Sequence, residues 1–208
     1  MIKKGGLSKI KRIKSLVLTI SGSILAGIGI ELIVLANHGV DSLSTLILGI
    51  MTHVNLEFGT WSQILSIIYL IISFSVNRKI LGIGSLLNAL LIGQTVKWID
   101  PFFRKSIAAN SYFVMFLGFV IMAFGTSMYL KGNLGSGPME AMMYSLSQLL
   151  RMDMAISRII LDAFNVMVGV ILGATFGIGS VLAILGLGPM IKMFNVLLNK
   201  KFYFVKLK

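Results

Sequence analysis

The 208-residue sequence contains no cysteine, only three prolines, two histidines and seven acidic residues. Without cysteine the chain can form neither a disulfide nor a thiolate metal site. His38 and His53 have few acidic residues beside them, so we expect no metal and no cofactor. No Ser-His-Asp set, paired-carboxylate site or HExxH motif is present, and we therefore expect no enzymatic activity.

Charge is also scarce, because only 12% of the residues are charged whereas 56% are hydrophobic and the mean hydropathy is +0.92. A soluble domain of this size needs far more charge to stay dissolved. Most of the apolar stretches reach the length that crosses about 30 Å of hydrocarbon. We expect a multi-pass integral membrane protein in contact with a lipid bilayer, with apolar stretches at residues 15–36, 60–76, 84–99, 111–130, 156–175 and 178–198.

The net charge of +12 is concentrated at the two ends of the chain. Basic residues that flank membrane spans mark cytoplasmic ends, so both termini are expected in the cytoplasm. No basic stripe alternates with stacking aromatic residues, which argues against a nucleic-acid partner. The first apolar run is too long for a signal peptide and is interpreted as a retained helix. The flanking residues are Lys3, Lys4, Lys9, Lys11, Arg12 and Lys14 before the first span, and Lys200, Lys201, Lys206 and Lys208 after the last.

The sequence contains an internal repeat with an offset of about 96 residues. Asn37-His38-Gly39 corresponds to Asn133-Leu134-Gly135, and the Gly-Ile-Gly-Ser motif at 82–85 recurs at 177–180. A repeat of this length in apolar sequence indicates two halves that pack around a shared axis. The expected organisation is a single membrane domain, residues 1–208, with a first repeat at 14–99 and a second at 110–198.

Each half divides into four segments. Segment a covers 15–36 and 111–131, segment b 41–55 and 138–151, segment c 60–76 and 156–175, and segment d 83–99 and 178–198. Asp41-Ser42 and Pro138 are typical of helix starts and mark the beginnings of the b segments. The predicted fold is an all-α polytopic transmembrane bundle of two homologous halves, each with three full spans plus one short crossing or re-entrant helix.

The b segments leave two topologies open. If they cross the membrane, there are eight crossings and parallel repeats, and Arg78, Lys79 and Lys131 lie outside. If they re-enter, there are six crossings and inverted repeats, and the outside residues are instead Lys97, Arg104 and Lys105. Because Lys97 and Lys192 occupy equivalent positions, the sequence favours the parallel arrangement.

Three passages resemble the YczE/YyaS/YitT group of bacterial membrane proteins. They are Gly-Ile-Gly-Ser at 82–85 followed by Leu-Leu-Ile-Gly-Gln at 90–94, the second copy ending in Leu-Gly-Leu-Gly-Pro at 185–189, and Leu-Gly-Ser-Gly-Pro-Met-Glu at 134–140. The similarity covers nearly the whole chain, although the first half has Asp41-Ser42 where the second has Gly137-Pro138, and Gln94 where the second has Pro189. The resemblance implies a multi-pass protein of the bacterial cytoplasmic membrane and assigns no substrate.

Polar residues inside a membrane are costly and often functional. Glu31 could bind a proton or cation, or could be a structural residue near the outer interface that snorkels or bonds to a neighbouring helix. Arg158 and Asp162 lie on one helical face, with Asn165 nearby, as a cavity lining or as a structural ion pair. The loops before the b helices could bind a ligand at helix N-termini or serve only as turns. The candidate pathway residues are Glu31, Asn37, His38, Asp41, Lys131, Asn133, Glu140, Arg158, Asp162 and Asn165.

These features favour a permease or channel-like protein for a small solute, with a pathway at the interface of the two repeats. The alternative is a non-transporting membrane partner that assists assembly or regulation of another complex. The sequence leaves the formation of homo-oligomers open.

Overall fold

The computed structural model describes residues 4–106 and 111–206, with the side chains of residues 11–106 and 111–198. Within these ranges all regular structure is helical, which confirms the all-α prediction. A 3₁₀ turn, Arg78–Ile80, follows α3, and a π-helical turn, Ala183–Leu187, joins α8 to α9. The α-helices are α1 Lys4–Ala36, α2 Ser42–Met51, α3 Phe58–Asn77, α4 Ile83–Ser106, α5 Tyr112–Gly132, α6 Pro138–Leu150, α7 Met154–Ile171, α8 Ile178–Leu182 and α9 Gly188–Lys206.

The helix starts follow local sequence signals. Asp41 caps α2 by accepting a hydrogen bond from the Ser44 amide at 3.3 Å, and Pro138 stands in the first turn of α6. α2 ends at Met51, four residues before the predicted end of its segment, and α4 continues past residue 99 to Ser106. Residue 110, where the second repeat was expected to begin, and the terminal Lys3 and Lys208 lie outside the described residues.

Five helical stretches are long and apolar enough to cross a membrane: Lys11–Ala36, Phe58–Ile80, Tyr112–Gly132, Met154–Ile171 and Ile178–Leu198. Their outer faces carry large exposed apolar side chains such as Phe74, Phe113 and Ile171. Apolar surface of this extent is rare in water-soluble monomers but is what lipid tails require.

Four glycines set the packing of α1 on α5. A Cβ atom on Gly22 would lie 2.6 Å from the Gly125 carbonyl oxygen, and one on Gly29 would lie 2.6 Å from that of Gly118. Small residues let helix backbones approach this closely in membranes. Since Gly22 meets Gly125 and Gly29 meets Gly118, the two helices run antiparallel. The parallel arrangement favoured by the sequence needs α1 and α5 to run in the same direction, so this packing contradicts it.

The direction of α1 defines two ends of the bundle. The end that contains Ser15 and Gly132 is called the basic end here, and the end that contains Ala36 and Tyr112 the opposite end. The imidazole of His38 stacks on the Tyr112 ring at the opposite end, with ring centroids 3.8 Å apart.

α4 and α3 extend this frame. Asn88 donates a hydrogen bond to Ser23 at 3.0 Å, and Thr95 contacts Gly27, so α4 runs in the same direction as α1. Gln63 donates to the Leu90 carbonyl at 3.0 Å while Gly59 packs on Gly93, so α3 runs antiparallel to α4. α3 therefore starts at the opposite end and finishes at the basic end.

The loops before α2 and α6 share one backbone conformation. Asn37 and Asn133 are both left-handed, with φ of 55° and 53°, and Gly39 and Gly135 follow with φ of 93° and 124°. Positive φ is readily adopted by glycine and tolerated by asparagine. Two Asn-x-Gly sequences 96 residues apart thus encode the same turn.

Each of these loops bonds to a Gly-Ile-Gly-Ser motif from the other part of the chain. The Gly179 amide donates to the His38 carbonyl at 2.8 Å, and the Gly84 amide donates to the Leu134 carbonyl at 2.9 Å. In the same exchanged manner α2 packs on α7 and α3 packs on α6. The central pair is Tyr69 and Asn165, 96 residues apart, whose hydroxyl and carboxamide oxygen are 2.5 Å apart.

We expect Gly29→Ala to lower the free energy of unfolding by about 1–3 kcal/mol, because the added methyl group would overpack the α1–α5 contact. Thermal unfolding of the purified protein in detergent measures the effect. Gly186→Ala is the matched control, since nothing lies within 4 Å of the Cβ it would add. Equal stability of the two variants would contradict the assigned packing.

Candidate functional site

A cavity of about 80 Å³ lies in the middle of the bundle, where the first turns of α2 and α6 face the centres of α1 and α5. Ala26 and Met122, at the middle of the α1–α5 contact, form part of its wall. Most of the lining is apolar, but residues from both parts of the chain contribute polar groups. The charged residues are Asp41, Glu140, Arg158 and Asp162, and the neutral polar ones include Ser42, Ser44, Ser62, Ser66, Asn88 and Tyr129.

α2 and α6 both start at this cavity and run outward. Met51, at the end of α2, lines a second cavity with Val34 and Glu57, which places the end of α2 at the opposite end of the bundle. Gln148, near the end of α6, accepts a hydrogen bond from Asn77 at 3.1 Å, and Asn77 lies at the basic end. The two short helices thus point their N-termini at the same central space and leave it in opposite directions.

Asp162 joins the start of α2 to α7. Its carboxylate is 2% exposed and accepts hydrogen bonds from the Ser42 hydroxyl and from the Arg158 guanidinium, the latter at 2.9 Å. A buried carboxylate is tolerated when a cation and a further donor compensate its charge. The (i, i+4) pairing of Arg158 with Asp162 expected from the sequence is confirmed.

Both short helices carry a carboxylate at their N-terminal turn. Asp41 caps α2, and Glu140 lies in the first turn of α6 with its Oε2 atom beside Gly137. Negative charge is stabilised at this position because the free amides and the helix dipole are positive there. Acidic side chains therefore already lie at the positive ends of both helices. This weakens the anion-binding role that the sequence suggested for these N-termini.

The cavity can hold a small solute with a polar and an apolar part. Asp41, Glu140 and Asp162 bring three carboxylates to its wall, against one guanidinium from Arg158. Among the described residues, no group of three or more His, Asp or Glu side chains is arranged to hold a metal ion.

The structure places the other candidate pathway residues elsewhere. Asn165 lies behind the cavity wall, bonded to Tyr69, and Lys131 bonds to the Leu198 carbonyl at the basic end. Glu31 lines the second cavity near the opposite end. Two shallow surface sites hold the rest, namely Asn37 and His38 in one and Asn133 in the other.

Asn88 and Tyr129 line the cavity but were not singled out from the sequence. Tyr129 donates to the Gly135 carbonyl at 2.6 Å and so holds the loop before α6. Asn88 carries the only carboxamide in the first two turns of α4, and this feature could have marked it in the sequence. Nothing in the local sequence marks Tyr129.

The second cavity, of about 240 Å³, is lined by two ion pairs that the sequence analysis did not single out. Arg104 pairs with Asp100 at 2.6 Å, and Lys97 pairs with Glu57 at 3.8 Å. The spacing of Lys97, Asp100 and Arg104 puts them on one helical face, which is the signal that could have revealed them.

The part of the chain that the structure describes is all-helical, with five helices long and apolar enough to cross a membrane and a cavity between them that carries several polar groups, and these are the features of a multi-pass membrane protein. The chain belongs to DUF6198, a family of unknown function that matches residues 13–196. It is similar to an uncharacterized protein of Haemophilus influenzae, with 30% identity over 174 residues that cover 82% of this chain and 78% of the relative.

Two proteins of Bacillus subtilis are also similar. The uncharacterized protein YyaS is 23% identical over 185 residues, which cover 87% of this chain and 92% of YyaS. The uncharacterized membrane protein YczE is 25% identical over 130 residues, which cover 62% of this chain and 60% of YczE. The resemblance to the YczE and YyaS proteins is thereby confirmed. No solved structure matches the chain.

We expect Asp162→Asn to destabilise the protein by about 3–5 kcal/mol, because Arg158 would keep a charge without its partner. The double variant Arg158→Met with Asp162→Leu should recover most of this loss, since an apolar pair can replace a buried ion pair. Unfolding of both variants in detergent tests this, and a double variant no more stable than Asp162→Asn would contradict the assignment.

Proposed function

We propose that the protein is a permease of the bacterial cytoplasmic membrane that moves a small solute through the central cavity. The observation that carries the proposal is the convergence of the α2 and α6 N-termini on one largely apolar cavity that carries charged groups from both parts of the chain. Short helices that meet end-on near the middle of a bundle are a common way for transporters to build a substrate site. Irregular backbone at such a depth is tolerated where it lines a cavity.

The proposed architecture has six crossings and two re-entrant helices. At 1.5 Å per residue, the 10 residues of α2 and the 13 of α6 extend about 15 and 20 Å, too short for about 30 Å of hydrocarbon. α4, with 24 residues, is long enough to serve as the sixth crossing although its second half is charged. The two repeats would then be inverted, which agrees with the antiparallel α1 and α5 and with the exchanged loop contacts.

Charge supports an orientation with both termini in the cytoplasm. With six crossings, only Lys97, Arg104 and Lys105 of the 19 Lys and Arg residues belong to the opposite end. A positive excess of this kind marks the cytoplasmic side. The basic end of the bundle would therefore be cytoplasmic, and the opposite end would face outward.

Single-cysteine variants test the topology without background, because the chain has no cysteine. We expect Leu56→Cys to react with an impermeant thiol reagent in intact cells, and Lys79→Cys to react only after permeabilisation. Both positions are exposed. Eight crossings with cytoplasmic termini predict the reverse pattern, so the two arrangements are distinguished by one pair of variants.

A screen for ligands tests the function. A solute present at 100 times its Kd should stabilise the purified protein by about 2.7 kcal/mol. We expect Glu140→Gln, which changes the cavity wall, to reduce or abolish this shift. Asp153→Asn is the matched control, because Asp153 is an exposed N-cap of α7 and asparagine caps equally well.

The two variants also separate the alternatives. Stabilisation that is lost equally in both, or kept in both, would place the ligand outside the central cavity. Failure of every solute class to stabilise the protein would favour the non-transporting membrane partner instead.

A further inference from the structure

Glu31 is buried in the second cavity without full hydrogen bonding. The residue is 1% exposed, and its Oε1 atom has no hydrogen-bond partner among the described residues. A buried ionised carboxylate without compensation is strongly disfavoured. The group therefore requires either a bound ion or a proton in this cavity.

The groups around Glu31 decide between a bound ion and a proton. Asp100, on α4, lines the same cavity as Glu31, and Arg104 pairs with Asp100 at 2.6 Å. Lys97 of α4 and the exposed Glu57, the residue before α3, form a looser pair at 3.8 Å at the cavity edge. The Arg104 guanidinium compensates the charge of Asp100 but not a second charge on Glu31.

Two ionised carboxylates in one poorly solvated cavity repel each other, and a proton held in the cavity relieves the repulsion. Asp100 has a cation partner in Arg104, whereas the Glu31 Oε1 atom has no partner among the described residues, so Glu31 is the group to which we assign the proton. The described residues that line the cavity do not include three metal-ligating groups in a suitable arrangement. A proton is therefore a better occupant than a metal ion.

The second cavity adjoins the central one. Phe58, in the first turn of α3, lines both cavities and is 9% exposed. Ile30 lines the central cavity while its neighbour Glu31 lines the second. Glu31 therefore lies in the part of the bundle that separates the two spaces.

We propose that Glu31, with Asp100 in the same cavity, is a proton-binding site that controls access to the central cavity through Phe58, which lines both cavities. The role in access rests on the proposed function of the central cavity, whereas the proton site does not.

Infrared difference spectroscopy of the reconstituted full-length protein tests the proton site. We expect a band of a protonated carboxyl group at neutral pH that disappears as the pH is raised. Glu31→Gln should remove this band, and Asp100→Asn should shift it because a charge in the same cavity is removed. Asp153→Asn should leave it unchanged. A band that persists unshifted in both Glu31→Gln and Asp100→Asn, or no such band in the unsubstituted protein, would overturn the site.

Thiol labelling tests the control of access. Ser62 lies one turn after Phe58 and lines the central cavity. Two variants are compared, Ser62→Cys alone and Ser62→Cys combined with Glu31→Gln. Because glutamine imitates the protonated acid, the two labelling rates should agree at low pH and diverge as the pH rises. The ratio of the two labelling rates is compared because the effect of pH on the ionisation of the Cys thiol is the same in both and cancels.

A ratio that stays constant over the pH range in which the infrared band disappears would overturn the control of access. Both measurements use only protons and a thiol reagent. A ligand screen without hits would therefore contradict the proposed function and leave these two results interpretable.

Discussion

The close approach of α1 and α5 organises the rest of the structure. Lipid tails are as apolar as leucine, so helices in a membrane gain little from the hydrophobic effect and depend on tight packing and buried polar bonds. Gly22 and Gly29 meet Gly125 and Gly118 with backbone against backbone. This contact sets the antiparallel direction of the two helices, and that direction carries the loop after each helix to opposite ends of the bundle. From there each loop can reach the Gly-Ile-Gly-Ser turn of the other part of the chain.

The polar interior follows from the way the short helices enter. Each helix start leaves free amides, and in a dry environment these need acceptors. Asp41 supplies such an acceptor at α2, and Glu140 brings a negative charge to the first turn of α6. Arg158 and Ser42 bond to Asp162, a third carboxylate in the wall of the same cavity. The charged groups of the central cavity thus lie around the two buried helix starts.

The sequence predicted the features that depend on neighbouring residues, but it did not predict the relative direction of the helices. Helix type, the Asp41 cap, the Pro138 start and the Arg158–Asp162 pair depend on neighbours within one turn, so they can be recognised from spacing alone. The antiparallel packing of α1 and α5 could not be recognised in this way. Glycine positions show which residues can approach another helix closely, but not which helix they meet. The parallel preference rested on the basic residues before both copies of segment a and on the equivalence of Lys97 and Lys192. Lys97 pairs with Glu57 at 3.8 Å, so a structural contact also explains the charge at this position.

The two cavities differ in the way their charges are balanced, and the difference separates their roles. In the central cavity the most deeply buried carboxylate, Asp162, accepts hydrogen bonds from both a cation and a hydroxyl group. In the second cavity Arg104 bonds to Asp100, and Glu31 keeps an oxygen without a partner. Under the functions proposed above, the compensated group belongs to the solute site and the uncompensated one to the proton site. Phe58 stands between the two, which is the position from which a change in one could alter the other.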